Sequence, residues 1–292
     1  MRIVRRKTAL EKDAQNIAID ERLQVRFSPE SDPVNADTSA TAAVSPKGAR
    51  RWQQGHPWIY RSDVSRRPDV PAGVVQVRDS RGKPLGVALW SPASEISLRL
   101  LDRDPDARVD RAWWHARIAA AVARRTPLAE DASAYRLVHG EGDGLPSLIC
   151  DRYDRWMVLQ LMSAGLERCR DHILAALQDI VQPDGILARN DVPLRAKERL
   201  PVGVELLRGE VPQTVEAHEH GVRYLAAPWD GQKTGAFLDQ RENRAFIGAG
   251  APPRALGRVF GITDRADADV LIGHRLTAPT ILCRASARRS RT

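Results

Sequence analysis

Apolar and polar residues alternate through two neighbouring runs in the first half of the chain, "VVQVR" and "LGVALW". A period of two is typical of a half-buried β-strand, and the Gly- and Pro-containing stretch "DSRGKPLG" between the runs is typical of a turn. The pattern predicts a β-hairpin, and its surroundings extend this to a small β-rich domain over residues 45–105.

Two later segments have the helical period instead. In residues 107–125, Trp114, Ile118 and Val122 recur at a spacing of four and Asp110 can cap the first turn, which predicts a connector helix within residues 106–128. Residues 165–181 predict a second amphipathic helix. Its apolar face comprises Leu166, Cys169, Ile173, Leu174, Leu177 and Val181.

Strand-like runs stand on both sides of the second helix. "SAYRLVHGE", "PSLICDRY" and "RWMVLQLM" precede it, and "GILARND" and "TVEAHEHGVRYLAAPWDG" follow it. Strands, one helix and more strands predict an α+β domain over residues 129–230.

The ends of the chain differ from this pattern. Residues 1–44 are polar and poor in apolar periodicity, so we expect a largely disordered N-terminal extension. No apolar run reaches the roughly 18 residues of a membrane span, and the basic N-terminus lacks the apolar core of a secretory signal. Three cysteines are too few for a disulfide framework, which favours the cytoplasm as the compartment.

Positive charge is concentrated in the β-rich domain. The chain has a net charge of +8, and residues 46–103 contain eleven Lys and Arg against five Asp and Glu. An excess of cations favours RNA or DNA as a partner, although an arginine-rich coding bias would give the same composition. In "KGARRWQQGHPWIYRSDV", cations alternate with aromatic rings that are available for stacking on bases. We predict Lys47, Arg50, Arg51 and His56 as RNA-binding residues.

Several polar clusters have a structural interpretation beside the functional one. Trp58 is predicted to be a core residue, and Glu141 with Asp143 is predicted to be a hydrogen-bonded loop rather than a catalytic pair. His218 and His220 share one strand face, but no third ligand follows at a suitable spacing, so no metal site is predicted.

One polar cluster allows two interpretations, and two cysteines have a simple structural one. Around Asp191, "RNDVPLRAKERL" either lines a groove for an anion or begins a solvated helix with Asp191 as its cap. Cys150 and Cys169 are most simply small core residues.

The segment "GQKTGAFLDQRENR", residues 231–244, places polar groups around Phe237 and Leu238. It predicts a turn followed by the start of a helix. Gly235 permits close backbone approach, and an amide-rich turn that opens a helix suits a polar ligand.

Four strings together resemble one family. "KGARRWQQGHPWIYRSDV" with "GKPLGVALWSPASEISLRLL", then "RLVHGEGDGLPSLICDRYDRWMVLQLMSAGLE", "RNDVPLRAKERL" and "HGVRYLAAPWDGQKTGAFLDQRENR" resemble the PUA-containing, SAM-dependent 23S rRNA cytosine-C5 methyltransferases over about residues 45–246. The resemblance implies a PUA-like RNA-binding domain, a central α+β domain of the EEHEE type and the lead-in to a Rossmann-like methyltransferase domain. It implies S-adenosyl-L-methionine (SAM) as cofactor and 23S rRNA as partner. The cofactor-binding residues it implies are Lys233, Thr234, Gly235, Phe237, Asp239, Gln240 and Arg241.

The family pattern continues with a Rossmann-like domain that contains a Gly-rich loop, a D-P-P motif and a nucleophilic cysteine. Residues after about 248 have none of these, so we expect residues 231–292 to begin the methyltransferase domain and to be truncated or out of frame from there. We therefore assign no catalytic residue, leave Cys283 without a role, and expect the chain to be inactive alone.

Three alternatives stay open. The chain is an incomplete SAM-dependent rRNA methyltransferase, a non-catalytic RNA-binding protein or RNA-docking half that works with a separately encoded catalytic domain, or a folded remnant without activity. A homodimer is possible in each case, because the central sheet can present an edge.

Overall fold

The structure, a computed structural model, describes residues 40–220, 222–243, 245 and 280–282. The predicted disorder of residues 1–39 and the predicted loss of the family pattern after residue 248 fall outside this part of the chain, apart from residues 280–282. Within the described residues no helix is long and apolar enough to cross a membrane.

The first sheet has six strands in the order β2-β6-β5-β4-β1-β3. They are β1 (Thr41–Val44), β2 (Trp58–Tyr60), β3 (Val64–Arg66), β4 (Gly73–Arg78), β5 (Pro84–Trp90) and β6 (Ile96–Asp102). The predicted hairpin is confirmed: β4 and β5 pair antiparallel, with Val75 opposite Ala88.

Two features of this sheet differ from the predictions. β1 lies inside the segment expected to be disordered, and it is ordered because it pairs with both β3 and β4. The domain also contains a helix, α1 (Pro46–Gln53), whose first turn is capped by the Ser45 hydroxyl accepting the Gly48 N–H. α1 buries Trp52, whose indole N–H donates to the Leu85 carbonyl, so this ring is not available for stacking.

The predicted connector helix is α2 (Arg111–Arg124), and a short helix α3 (Thr126–Ala129) follows it. The Asp110 carboxylate accepts the Trp113 N–H, as a helix cap should. Trp114 and Ile118 are fully buried in the same apolar core as β5 and β6 of the first sheet. α2 therefore belongs to the core that joins the two halves of the molecule.

The central sheet has five strands in the order β11-β10-β9-β8-β7. They are β7 (Ala134–His139), β8 (Leu148–Tyr153), β9 (Trp156–Leu161), β10 (Gly185–Arg189) and β11 (Val204–Gly209). Helices α4 (Ala164–Glu167) and α5 (Arg170–Val181) follow β9, and α6 (Pro193–Lys197) follows β10. The predicted α+β class is confirmed.

Two details of the central domain were not predicted. β11 is an edge strand paired only with β10 along the described chain, and most of its side chains are exposed, so it lacks the buried alternation that marks a strand in the sequence. Asp191 is not a helix cap, because α6 begins after Val192 without a side-chain cap. Asp191 instead pairs with Arg189 at 2.9 Å.

A third sheet is formed by β12 (Val215–Glu219), β13 (Val222–Ala226) and β14 (Thr280–Leu282). β12 and β13 form the antiparallel hairpin expected from the His-Gly turn, and β14 lies parallel to β13. Tyr153 of β8 packs in one apolar cluster with residues of β12, β13 and the segment after residue 231.

A buried ion pair connects the first sheet to the central domain. Arg99 on β6 lies 3.0 Å from the Glu198 carboxylate, and both side chains are almost fully buried. Glu198 also accepts the Ala164 N–H at the start of α4. Because an unpaired charge at this depth is costly, the pair fixes the contact between the two domains.

Candidate functional site

The described residues form a pocket of about 580 Å³ at the C-terminal end of α1. We call it the basic pocket, and it is lined by Lys47, Arg50, Arg51, Gln54, Gly55 and His56. The structure therefore brings together all four residues that the sequence predicts to bind RNA.

Arg51 is fixed within the basic pocket. Its guanidinium donates to the Asp63 carboxylate at 2.9 Å and lies over the Tyr60 ring, 4.9 Å from the ring centre. Asp63 is almost fully buried, so this cation is held by a charge that solvent screens poorly.

Lys47 and Arg50 are exposed, and neither makes an ion pair within the described part of the chain. An exposed ammonium or guanidinium suits a phosphate group, which accepts several hydrogen bonds. The basic pocket thus combines one fixed cation with two that can reach a polyanion.

His56 lies at the aromatic edge of the basic pocket. Its Nδ1 is 3.1 Å from the Trp58 backbone nitrogen, and its ring is edge-to-face with Trp58 at 5.9 Å between centroids. Trp58, which was predicted to be a core residue, is only half-buried and lies outside the buried core, because its indole N–H reaches out to donate to Glu141 at 2.8 Å. Trp58 therefore has a structural role between the two domains.

Residues 231–241, which we call the polar turn, follow the third sheet's hairpin. The Gly231 N–H donates to the Ala227 carbonyl at 2.8 Å, and the Gly235 N–H donates to the Gln232 carbonyl at 3.0 Å. Lys233 has a left-handed φ of 56° and Gly235 a φ of 139°. A Cβ at Gly235 would lie 3.3 Å from the Ala227 backbone, so this position requires close approach.

The exposed side of the polar turn carries four of the residues implied to bind the cofactor, Lys233, Phe237, Asp239 and Gln240, and Lys233 contacts the first two of the other three. The Lys233 ammonium lies 3.2 Å from the Asp239 carboxylate and 4.7 Å from the centre of the Phe237 ring. Burial pushes the pKa of Asp239 upward, but the hydrogen bond and charge of Lys233 outweigh it and leave the pKa below its ordinary value.

The remaining residues of the polar turn face other partners. Thr234 is fully buried, and its hydroxyl donates to Asp151 at 2.5 Å. Arg241 pairs with Asp131 at 2.5 Å, and Gln240 accepts from the Asn243 amide at 2.8 Å. The sequence could not single out Asp151 or Asp131, because nothing near them in the chain indicates a partner about 80 to 110 residues away.

The loop between β7 and β8 has the predicted structural role. Asp143 is buried and accepts from Arg124, Arg125 and the His139 N–H. Burial raises the pKa of Asp143, but these hydrogen bonds, led by that of Arg125, hold it below its ordinary value. A carboxylate that is fully engaged in this way is not available as a catalytic base.

The two cysteines of the described chain lie in the core, and His220 lies next to a carboxylate. Cys150 and Cys169 are buried, and burial raises the pKa of the Cys169 thiol to about 12. His220 lies 3.2 Å from Asp131, and no group of three His, Cys, Asp or Glu residues in the described ranges could hold a metal ion.

The comparisons with known proteins agree with this architecture. A PUA-like domain matches residues 43–103, which contain the first sheet from Ala43 to β6 together with α1. The chain is thus a protein with a PUA-like domain followed by an α+β domain.

Relatives among known proteins make the class more specific. The ribosomal RNA large subunit methyltransferase I of Erwinia tasmaniensis is 36% identical over 228 residues, which cover 75% of this chain and 57% of that protein. The protein of the same name from Shewanella amazonensis is 36% identical over 70% of this chain and 53% of its own length. The predicted relationship to this methyltransferase family is confirmed, and the chain spans about half the length of these relatives.

Solved structures share the fold. A provisionally assigned SAM-dependent methyltransferase from Streptococcus mutans superposes with a TM-score of 0.61 at 22% identity, covering 72% of this chain and 54% of that one. A second methyltransferase, also provisionally assigned and solved in complex with SAH, has a TM-score of 0.66 at 17% identity and covers 84% of this chain and 70% of its own.

Proposed function

We propose that this chain is part of a SAM-dependent methyltransferase of ribosomal RNA, and that its PUA-like domain docks the RNA through the basic pocket. The observation that carries the proposal is the convergence of Lys47, Arg50, Arg51 and His56 on one pocket within a chain related to rRNA methyltransferases. Cytosine C5 is the target atom that the family resemblance implies. By the same reasoning we propose a cytoplasmic location.

The charges of the basic pocket support a phosphate-directed contact. Lys47 and Arg50 are exposed, whereas Arg51 is oriented by Asp63 and Tyr60. Phosphate contacts dominate the affinity of such interfaces and make it depend on salt. The half-buried rings of His56 and Tyr60 place an aromatic surface beside these cations, which suits an unpaired base.

The polar turn supports the donor part of the proposal. SAM combines an aromatic base, sugar hydroxyls and a sulfonium cation. On the exposed side of the turn, Phe237 offers an apolar ring, Asp239 a carboxylate and Gln240 an amide. These residues fit such a ligand, and they would bind and orient it; the bound donor would supply the methyl group.

Chemistry at the target base is not assigned to any described residue. Both described cysteines are buried and held protonated, so neither suits the addition of a thiolate to a base. We therefore propose docking and donor-side binding for this part of the chain.

The proposal is tested by binding of large-subunit rRNA transcripts to the full chain at several salt concentrations. Lys47→Glu with Arg50→Glu should weaken binding at least about tenfold and lower the slope of log affinity against log salt by about two. The matched control is Arg81→Glu with Lys83→Glu, which changes the charge equally on the exposed β4–β5 turn outside the pocket. Equal losses in both double variants would contradict a dedicated pocket.

Methyl transfer is measured on the same transcripts with labelled SAM. Transfer by the full chain would support the enzyme and contradict the expected inactivity of the isolated chain. Salt-dependent RNA binding without transfer would favour the non-catalytic alternative.

A homodimer through the central sheet remains a prediction. The edge strand β11 and the residue two before it expose Val202, Val204 and Leu206, and an exposed apolar edge favours pairing with another strand. Light scattering of the wild type and of Leu206→Lys tests it: loss of a dimer in the variant alone is expected, and a monomeric wild type would contradict the prediction.

A further inference from the structure

We propose that Asp151 and Tyr153 are positioning residues that hold the polar turn in one shape through Thr234 and Ala236. Both residues lie on β8 of the central sheet, about 80 positions before the turn. The inference rests on the proposed donor site, because it says what shapes that site before a ligand arrives.

The contact is a continuous chain of buried hydrogen bonds. The Ala236 N–H donates to the Tyr153 hydroxyl at 3.0 Å, and the Tyr153 hydroxyl is 3.2 Å from the Thr234 hydroxyl. Thr234 in turn lies 2.5 Å from Asp151. All three side chains are fully buried, so solvent does not compete for these bonds.

The chemistry of the groups fixes the direction of every bond. An ionised carboxylate only accepts, so Thr234 must use its single proton toward Asp151. Tyr153 must then donate its proton to Thr234, which leaves its oxygen free to accept the Ala236 N–H. Burial raises the pKa of Tyr153 and keeps the phenol protonated.

Arg136 pairs with Asp151 and orients its carboxylate for this chain of hydrogen bonds. Its Nε and Nη2 donate to the two carboxylate oxygens at 2.8 and 3.0 Å. The planar guanidinium also sets the orientation of the carboxylate, because the two bonds are parallel.

The anchor divides four of the residues implied to bind the cofactor into two groups. Thr234 is an anchor on the side facing the central domain, whereas Lys233, Phe237 and Asp239 are on the exposed side. A turn that is already ordered by hydrogen bonds to the central sheet does not need to be ordered by its ligand. This lowers the entropic cost of binding.

Amide hydrogen exchange of the full chain, without any ligand, tests the anchoring. Thr234→Val breaks the bonds to Asp151 and Tyr153 while it keeps a β-branched side chain, and Tyr153→Phe removes the acceptor of Ala236. Both should accelerate exchange at Ala236 by about tenfold or more, with unchanged protection in β8 and β9. Thr234→Ser keeps the hydroxyl and should restore the wild-type rate.

Equal exchange at Ala236 in wild type and Thr234→Val would overturn the proposal. A loss of protection that is the same across β8, β9 and the turn would also overturn it, because it would show a general loss of stability.

Calorimetric titration with SAM then tests the effect on the ligand. The dissociation constant should rise about tenfold in Thr234→Val and Tyr153→Phe and return in Thr234→Ser. A loosened turn with unchanged SAM affinity would overturn the positioning role. Absence of SAM binding in the wild type would contradict the donor part of the proposed function, whereas the exchange experiment would still decide whether the turn is anchored.

Discussion

The basic pocket and the polar turn are both rich in charged side chains, but they use them differently. In the basic pocket, Lys47 and Arg50 face solvent without an ion pair in the described chain. In the polar turn, Lys233 pairs with Asp239 and Arg241 pairs with Asp131.

This contrast matches the ligand proposed for each region. Unpaired surface cations attract a polyanion over a long range and need little fixed geometry. A small ligand with several different groups needs a defined shape, and the polar turn obtains it from internal pairs and from its buried anchor on β8. The first region is therefore expected to respond to salt and charge, and the second to packing and hydrogen bonding.

The largest expected effect is at the anchor of the polar turn. Asp151→Ala leaves Arg136 without its carboxylate and Thr234 without its acceptor, so we expect a loss of about 3 kcal/mol in the free energy of unfolding. Urea denaturation measures it. The control Asp184→Ala removes an exposed carboxylate paired with Arg155 and should cost no more than about 0.5 kcal/mol. Similar losses of unfolding free energy in both variants would show that the buried anchor contributes no more than an exposed ion pair.

The next largest effect is a difference in RNA affinity between substitutions in the two regions. Arg50→Ala should lower RNA affinity about tenfold and leave the free energy of unfolding within about 0.5 kcal/mol of wild type, because Arg50 is exposed and unpaired in the described structure. Arg241→Ala should leave RNA affinity unchanged. Filter binding measures the RNA affinity of each variant, and urea denaturation measures its free energy of unfolding. An equal loss of RNA affinity in Arg50→Ala and Arg241→Ala would remove the distinction between the regions.

A smaller effect is expected from alanine substitutions at two glycines that have nearly the same φ. Gly235 in the polar turn has a φ of 139° and Gly73 at the start of β4 has a φ of 141°. Only Gly235 has neighbours within 4 Å of an added Cβ. Gly235→Ala should therefore destabilise the protein by about 1 kcal/mol more than Gly73→Ala, and equal thermal shifts would mean that close approach is unimportant there.

The smallest effect is the pH response of the exposed pair in the polar turn. Because Asp239 has a lowered pKa in the folded chain, it stabilises the fold above its unfolded pKa of about 3.8, and this is lost as pH falls through the lower folded value. Solvent screening limits the contribution to about 0.5 kcal/mol. NMR titration should show a carboxyl pKa below 3.8 that rises in Lys233→Met, and an unchanged pKa in that variant would exclude the pair as the cause.

Much of the fold could be predicted because its elements have local patterns of apolar and polar residues. The β4–β5 hairpin, helices α2 and α5, and the β12–β13 hairpin all have clear apolar patterns and turn residues. β1, α1 and β11 were missed for physical reasons. β1 is a short strand ordered by two partner strands. The arginines and the glycine of α1 obscure its apolar periodicity, and β11 exposes most of its side chains.

The site divides in the same way. The convergence of Lys47, Arg50, Arg51 and His56 on one pocket could be predicted because they lie within ten residues of each other on one helix and the loop after it, whereas their binding of RNA stays a prediction. The partners of the polar turn could not, because Asp131, Asp151 and Tyr153 meet it only through the packing of the central and third sheets.

The α+β class, the positive charge of the PUA-like domain and the composition of the polar turn follow from the residues alone, since periodicity, charge and turn chemistry act over a few neighbouring residues. Which of those charges stay available depends on the three-dimensional packing. It neutralised Arg241, buried Thr234 against Asp151 and left Lys47 and Arg50 open, because burial and pairing depend on contacts between residues far apart in the chain.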